Sequence, residues 1–270
     1  MIPIFDGHND VLLAYTRGTR SDSDFFTPSD LGHLDFERAR AGGFVGGLFA
    51  LYSPSEGYRM EGLLETTEDG YRFPYAPPRD RLPALHDLLE MAALLFRWER
   101  LSGGRFKVVR TLAELRACLD AGAMAAVMHL EGAEAIDPKL ETLEVLYAAG
   151  LRSLGPVWSR QNAFASGVPF RFPHSPDTGD GLSAAGRDLV RRCNELGVLI
   201  DLSHLNERGF WEVARLSSAP LVATHSNAHA LCPSPRNLTD AQLSAIRDSD
   251  GMVGLNFALS FLREDGLRQD

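Results

Sequence analysis

Cysteine is scarce in this chain of 270 residues, and Cys118, Cys193 and Cys232 form no Cys-x-x-Cys pair. An odd number of scattered cysteines argues against a disulfide framework and against a thiolate zinc site. Basic residues are also few: 27 Lys and Arg stand against 36 Asp and Glu, which argues against a nucleic-acid or anionic-membrane surface. The sequence lacks a basic, apolar leader and any apolar run of membrane-spanning length. We therefore expect a cytoplasmic protein with no membrane or nucleic-acid partner.

The length favours one large α/β domain over residues 1–270 rather than two small ones. Short apolar runs alternate with amphipathic stretches, which is typical of a parallel α/β fold. The predicted strands are Ile2–Phe5, Phe44–Leu51, Ala125–Leu130, Leu151–Val157, Val198–Leu202, Leu221–Ala223 and Met252–Phe257. The predicted helices are Arg81–Glu99, Leu112–Asp120, Glu141–Ala149, Ala184–Leu196 and Thr239–Asp248.

Seven parallel strands predict a TIM-type (β/α)8 barrel that lacks its eighth strand, because residues 262–270 are short and polar. We expect the natural chain to continue beyond Asp270. An open barrel exposes two strand edges, which a homodimer or another partner would cover. Residues 52–80 and 159–182 form long loops rich in Pro and Gly, and loops of this length are usually functional lids or disordered.

Polar side chains capable of binding a metal follow several of the predicted strands. His8 and Asp10 follow the first strand, and strand alternation points both the same way. Glu131 ends the third strand, where a carboxylate must be solvated, paired or bound to metal. As alternatives, Glu131 could cap the next segment, and His129 is better interpreted as a core imidazole one layer below it.

Two further histidines follow consecutive strands, His204 and His225. Active sites of barrels lie at the carboxyl ends of their strands, so all five side chains should meet at one rim. Three histidines and two carboxylates are enough for two divalent cations with one carboxylate bridging. Imidazole and carboxylate without thiolate suit zinc, manganese or iron better than copper, and we expect two Zn²⁺ ions.

Several longer strings resemble the membrane (renal) dipeptidase family of metallopeptidases, within the amidohydrolase superfamily. They are DGHND at 6–10, LEG at 130–132, GLRSLGPVW at 150–158, GLSAAGRDLVRRCNELGVLIDLSH at 181–204 and ATHSNAHALCPSPRNLTD at 223–240. The resemblance covers nearly the whole chain. It implies a binuclear-metal dipeptidase in which a hydroxide bridging the metals attacks the peptide bond of a small dipeptide.

The resemblance also implies roles for individual residues. His8 and Asp10 would bind the first metal, His204 and His225 the second, and Glu131 would bridge them. Catalytic roles fall to Glu131 and to Arg236, whose guanidinium would hold the substrate carboxylate; as an alternative, Arg236 is a surface loop residue. Asp201 would either orient an imidazole or cap its strand.

The chain departs from the family pattern in two places. Trp158 stands where renal-type members have a histidine near the metals, so a flat apolar wall would contact the substrate. Family members also continue into an eighth strand with an aspartate that handles the proton, and no aspartate of this chain matches it. Two alternatives therefore remain beside the dipeptidase. One is an amidohydrolase acting on another amide, a lactam or a lactone; the other is a catalytically impaired, truncated family member.

Overall fold

The computed structural model describes residues 2–18, 20–58, 60 and 62–266. These residues form eight α-helices and eleven strands. In chain order they are β1 (Ile4–Asn9), α1 (Val11–Thr16), α2 (Phe36–Ala41), β2 (Phe44–Tyr52), β3 (Glu65–Thr66), β4 (Tyr71–Arg72), α3 (Arg81–Leu101), β5 (Phe106–Val108), α4 (Leu112–Ala121), β6 (Met124–Glu131), α5 (Glu141–Ala149), β7 (Leu151–Gly155), β8 (Arg171–Phe172), α6 (Ala184–Leu196), β9 (Leu199–Ile200), α7 (Glu207–Leu216), β10 (Val222–Ala223), α8 (Asp240–Asp248) and β11 (Met252–Val253).

The main sheet is parallel, in the order β1-β2-β6-β7-β9, with β5 paired to the start of β6 off this path. A parallel bridge between Asp201 and Val222 continues the order to the pair β10-β11. Seven strands thus follow one another as in a TIM-type barrel, which confirms the predicted fold class. No eighth barrel strand occurs within the described residues.

The sheet curls until its two ends approach each other. A β-carbon built at Gly7 of β1 would lie 2.1 Å from the carbonyl oxygen of Thr224 and 3.6 Å from the Cα of Gly254. Only glycine permits this approach of β1 to the segments that follow β10 and β11. The curl brings the first and the sixth barrel strands together at one rim.

The caps predicted for α4, α5, α6 and α8 lie at the ends of these helices, whereas α3 and α4 end at Leu101 and Ala121 rather than at Glu99 and Asp120. The helices α5 and α6 have the predicted bounds, and Gly197 ends α6 with φ of +70°. Thr239 precedes α8 and accepts a hydrogen bond from the backbone N–H of Gln242, so it is the cap rather than the first helical residue. Between helices and sheet lies a large buried apolar cluster in which Trp98 stacks on Phe25 with ring centroids 4.0 Å apart.

Several elements differ from the prediction. The first strand runs from Ile4 to Asn9 rather than from Ile2 to Phe5, so that His8 lies inside it. The last strand stops at Val253. The helix α7 was not predicted; Asn206 caps its first turn and a glycine, Gly209, lies within it, which weakens its helical signal.

The two long loops meet above the barrel. Tyr71 of β4 pairs with Phe172 of β8, so β3, β4 and β8 form a three-stranded antiparallel sheet that joins the loops. A cavity of about 640 Å³ lies where the loops meet, lined by Tyr75, Arg171 and His174 among others. The predicted role of these loops as a lid remains a prediction.

Candidate metal centre

The carboxylate of Glu131 is the point on which the predicted histidines converge. It is the last residue of β6, and its Oε1 atom lies 3.2 Å from Nε2 of His204, 3.4 Å from Nε2 of His225 and 3.7 Å from Nε2 of His8. The ligand atoms of His8, Glu131 and His225 all lie within 4.8 Å of one another. One carboxylate oxygen therefore faces three imidazole nitrogens from three different strands.

Asp10 lies at the outer side of this group. Its Oδ1 atom is 3.4 Å from Nε2 of His8, and its side chain is 57% exposed, whereas that of His8 is 8% exposed. Asn9, between them, turns away and donates a hydrogen bond to Asp6. His8 at the end of β1 and Asp10 at the start of α1 thus lie together, with Asp10 nearer the solvent.

His204 and His225 reach the centre from neighbouring strand ends. His204 follows β9 in a left-handed conformation with φ of +68°, which is uncommon outside glycine and turns the chain sharply after the strand. His225 directly follows Ala223 and Thr224 at the end of β10. Their Nε2 atoms lie 3.1 Å apart, and the His225 ring stacks on His8 with centroids 3.9 Å apart.

The electrostatics of the centre match a cation site. Burial raises the pKa of Glu131 to about 8. Burial also lowers the pKa values of His204 and His225 well below the usual range, so both imidazoles are neutral. Neutral imidazoles are the form that binds metals, and a buried carboxylate becomes stable as an anion beside a cation. The donor set of these side chains therefore fits divalent cations.

A second set of groups fixes the orientation of the imidazoles. The Thr224 hydroxyl donates to Oδ2 of Asp201 at 2.6 Å and lies 2.8 Å from Nδ1 of His225. Since a hydroxyl has one proton, it must accept the Nδ1 proton of His225, which leaves Nε2 free as an acceptor facing Glu131. Asp201 also accepts from the backbone N–H groups of Ser203 and Thr224, so it combines both roles that the sequence left open.

The ring of His204 is held in place by a hydrogen bond with Ser159, whose Oγ lies 2.7 Å from its Nδ1. Neither Ser159 nor Thr224 was predicted. Thr224 adjoins His225 and could have been found, but Ser159 lies 45 residues from His204 and is brought there only by the packing of β7 against β9. A hydroxyl that orients a histidine from another strand has no fixed separation from it along the chain, so the sequence pattern does not reveal it.

Among the described residues, His129 forms no hydrogen bond or ion pair with Glu131. It is fully buried in β6, its Nδ1 lies 2.8 Å from Oγ of Ser153, and its Nε2 lies 3.7 Å from Oδ2 of Asp201. Burial lowers its pKa to about 4, so it is a neutral core imidazole. It lies one layer below the centre, as predicted.

Trp158 belongs to an aromatic wall on the solvent side of His204. Its ring centroid is 5.9 Å from that of His204, 5.2 Å from Tyr52, 5.4 Å from Phe170 and 6.3 Å from Tyr58. Tyr52 is paired with Glu131 in the register of β2 and β6, which places the wall beside the centre.

Arg236 packs against Phe261, which stacks on Phe170 of this wall, and it is not a surface residue. Its side chain is buried, and Nη2 donates to the carbonyl oxygen of His225 at 3.1 Å. Its Nε and Nη1 atoms are buried and have no hydrogen-bond partner among the described residues. Burial lowers its pKa to about 10, so the guanidinium remains charged at neutral pH. Two buried guanidinium nitrogens without a protein partner leave this cation free to bind an acceptor, and a carboxylate suits its charge.

Comparison with known proteins shows to which family the chain belongs. The family model described as membrane dipeptidase, peptidase family M19, matches residues 1–268. The chain belongs to the membrane dipeptidase family. It is accordingly an enzyme of the metal-dependent dipeptidase class, and its family requires a divalent metal.

Individual relatives agree over most of the chain. A metallopeptidase from Rhodobacter sphaeroides, whose crystal structure was solved with a phosphinate mimic of the dipeptide L-Ala-D-Ala, has 54% sequence identity to this chain. The match covers 99% of this chain and 77% of the Rhodobacter chain, with a TM-score of 0.93. The probable dipeptidase PvdM from Pseudomonas aeruginosa has 27% sequence identity to this chain. The match covers 97% of this chain and 62% of PvdM, with a TM-score of 0.78. An uncharacterized protein in the PQQ-III 3′ region of Acinetobacter calcoaceticus is 40% identical over 99% of this chain and 84% of its own.

Despite the family description, the part of the chain that the structure describes contains no helix long and apolar enough to cross a membrane.

Proposed function

We propose that the chain hydrolyses dipeptides with a free C-terminal carboxylate, using two divalent cations held by His8, Asp10, Glu131, His204 and His225. The observation that carries the proposal is the convergence of three Nε2 atoms to within 3.7 Å of one buried carboxylate oxygen. A divalent cation between these groups would stabilise Nε2 lone pairs and a buried carboxylate that face one another. Zinc is the metal that the donor set suits first.

Some residues of the chain would bind the cations, and others orient the imidazole ligands. The two cations, when bound, supply an attacking hydroxide at neutral pH and polarise the carbonyl of the scissile bond. Glu131 would hold both cations, while Thr224 and Ser159 form hydrogen bonds with Nδ1 of His225 and His204 and so fix the direction of the two imidazoles. Trp158 and its aromatic neighbours exclude water from one side.

Arg236 determines the substrate class. Its buried guanidinium carries a positive charge and keeps two nitrogen atoms, Nε and Nη1, without a partner among the described residues, so it can bind a carboxylate. The related Rhodobacter protein was solved with a mimic of L-Ala-D-Ala, and we extend that substrate type to this chain. Arg236 and Glu131 influence each other electrostatically, so a dipeptide held by its carboxylate at Arg236 would direct the preceding peptide carbonyl toward the centre at Glu131.

The experiment is a hydrolysis assay with zinc-loaded protein. We expect L-Ala-D-Ala to be cleaved, and the same dipeptide with an amidated C-terminus to be cleaved far more slowly. A neutral amide offers the guanidinium only one acceptor oxygen and no negative charge. Removal of the metals with a chelator should abolish the activity, and added Zn²⁺ should restore it. Equal rates on the free and the amidated dipeptide would contradict the proposed role of Arg236.

Trp158 favours a second candidate, hydrolysis of a lactam, a lactone or an acylated amino acid. Its ring presents an apolar face beside His204 at the position where the resemblance implies a histidine. A panel of such compounds separates the two functions. Dipeptide hydrolysis that is lost in Arg236→Ala, without comparable turnover of the cyclic compounds, excludes the second candidate.

A further inference from the structure

A buried ion pair lies behind the aromatic wall and has no counterpart among the predicted site residues. The side chain of Arg160 is 0% exposed and that of Glu134 2% exposed, and Nε of Arg160 donates to Oε1 of Glu134 at 2.8 Å. Two fully buried charges cost more in desolvation than a simple structural contact repays. Such a pair therefore calls for an explanation beyond stability.

The guanidinium of Arg160 connects three strand ends of the rim. Besides Glu134, which follows β6, it donates through Nη2 to the carbonyl oxygen of Ser53 at 2.7 Å and through Nη1 to Oγ of Ser55 at 3.0 Å. Both serines follow β2, and Arg160 itself follows β7. One side chain thus fixes the segments that leave β2, β6 and β7.

Arg160 also contacts the aromatic wall directly. Its Cζ atom lies 5.5 Å from the ring centroid of Tyr52 and 5.5 Å from that of Trp158. A guanidinium at this distance attracts the faces of both rings, and burial strengthens the attraction. Arg160 does not itself belong to the cluster at Glu131; it reaches that centre through the two rings.

The segment after Glu131 turns so that Glu134 contacts Arg160. Gly132 has φ of +87°, and a β-carbon on it would lie 2.4 Å from Oε2 of Glu134. The chain therefore turns back sharply after Glu131 and brings Glu134 against the guanidinium. Burial alone would lower the pKa of Arg160, but Glu134 raises it above its usual value, so the group stays charged.

We propose that Arg160 is a positioning residue, which holds Tyr52 and Trp158 as the wall against which the substrate binds. The inference rests on the proposed dipeptidase function. A loosened wall should weaken substrate binding and leave the cations in place, because Arg160 makes no hydrogen bond to a metal-binding residue.

The test uses Arg160→Lys, which keeps the charge but cannot make three directed hydrogen bonds. We expect kcat/KM for L-Ala-D-Ala to fall about 10- to 100-fold, mostly through a higher KM, while metal content stays as in the wild type. In protein labelled with 5-fluorotryptophan, the ¹⁹F resonance of Trp158, assigned with Trp158→Phe, should shift while those of Trp98 and Trp211 do not. Arg152→Lys is the matched control: Arg152 donates to the carbonyl oxygens of Arg110, Tyr147 and Leu151 at the other end of β7, and its replacement should leave KM unchanged.

A double variant, Arg160→Met with Glu134→Met, separates positioning from stability. Replacing both charges by apolar side chains should restore a melting temperature close to that of the wild type. KM should remain raised if Arg160 positions the wall. Recovery of wild-type KM in the double variant, or an unchanged KM and Trp158 resonance in Arg160→Lys, would overturn the proposal. If the wild type cleaves no dipeptide, the proposed function fails, but the Trp158 resonance still decides the role of Arg160.

Discussion

The Nε2 atoms of His204 and His225 lie 3.1 Å apart, and each also lies within 3.4 Å of Oε1 of Glu131. Two neutral imidazoles cannot both donate to the same carboxylate when their Nδ1 protons are engaged elsewhere. For His225 this engagement is explicit, because Thr224 accepts the Nδ1 proton. Lone pairs that face one another in a buried site are stabilised by a cation between them, and this relationship leads to the predictions that follow.

Thr224→Val should weaken metal binding. Valine fills the same volume but removes the hydroxyl that links Asp201 to Nδ1 of His225, so the imidazole loses its fixed orientation. We expect metal affinity, measured by competition with a chelator, and kcat to fall about 10- to 100-fold. Thr224→Ser retains the hydroxyl and should stay close to the wild type. A folded Thr224→Val protein with wild-type metal affinity would show that the hydroxyl does not orient the ligand.

Arg236→Lys should impair substrate binding more than catalysis. The lysine keeps a positive charge but loses the planar fork, so a charge-assisted hydrogen bond of about 1.5–3 kcal/mol is lost. We expect KM for a free dipeptide to rise about 10- to 100-fold, and little further loss on an amidated dipeptide. Arg247→Lys, an exposed arginine of α8 paired with Asp248, serves as the control. Equal losses on both substrates would place the substrate carboxylate elsewhere.

The strand ends that carry the site could be predicted from the sequence because they combine two independent signals. Short apolar runs mark the strands, and a side chain capable of binding a metal follows four of these runs, at His8, Glu131, His204 and His225. Parallel strands bring such residues to one rim irrespective of their separation along the chain. The structure brings all four together, whereas the metal-binding role itself stays a prediction.

The supporting groups could not be predicted in this way. Ser159 reaches His204, and Arg160 reaches Glu134, Ser53 and Ser55, only through the packing of loops whose course depends on the whole fold. The bounds of β1 were wrong because Gly7 and His8 do not read as an apolar run, although the pairing with β2 resumes at Asn9 after an irregularity in the register. Tertiary contacts overrode the local pattern at this point.

Asp137 provides a prediction about stability that is independent of the site. Its carboxylate accepts hydrogen bonds from the backbone N–H groups of Lys139, Glu141 and Thr142 at the start of α5. Burial opposes its ionisation, but these hydrogen bonds outweigh it and lower its pKa to about 2. A lowered folded-state pKa means that the stabilisation is complete above the usual value near 3.8 and is lost as the pH falls through about 2.

Asp137→Ala should therefore lower the free energy of unfolding by about 1 kcal/mol at pH 7 and by less at pH 3. Chemical denaturation at the two pH values measures the difference. Asp120→Ala, an exposed position near the end of α4, should cost less at pH 7. A cost for Asp137→Ala that is equal at both pH values would contradict the assigned hydrogen bonds.

The metal content of the purified protein, determined by plasma mass spectrometry on wild type and on Glu131→Gln, tests the central claim most directly. The claim is that Glu131 bridges two cations between the histidines. We expect close to two zinc ions per wild-type chain after loading, and one or none in Glu131→Gln, with Glu141→Gln, an exposed carboxylate of α5, as the control at two. A wild-type chain that binds no divalent metal, or a Glu131→Gln variant that keeps both ions, would contradict it.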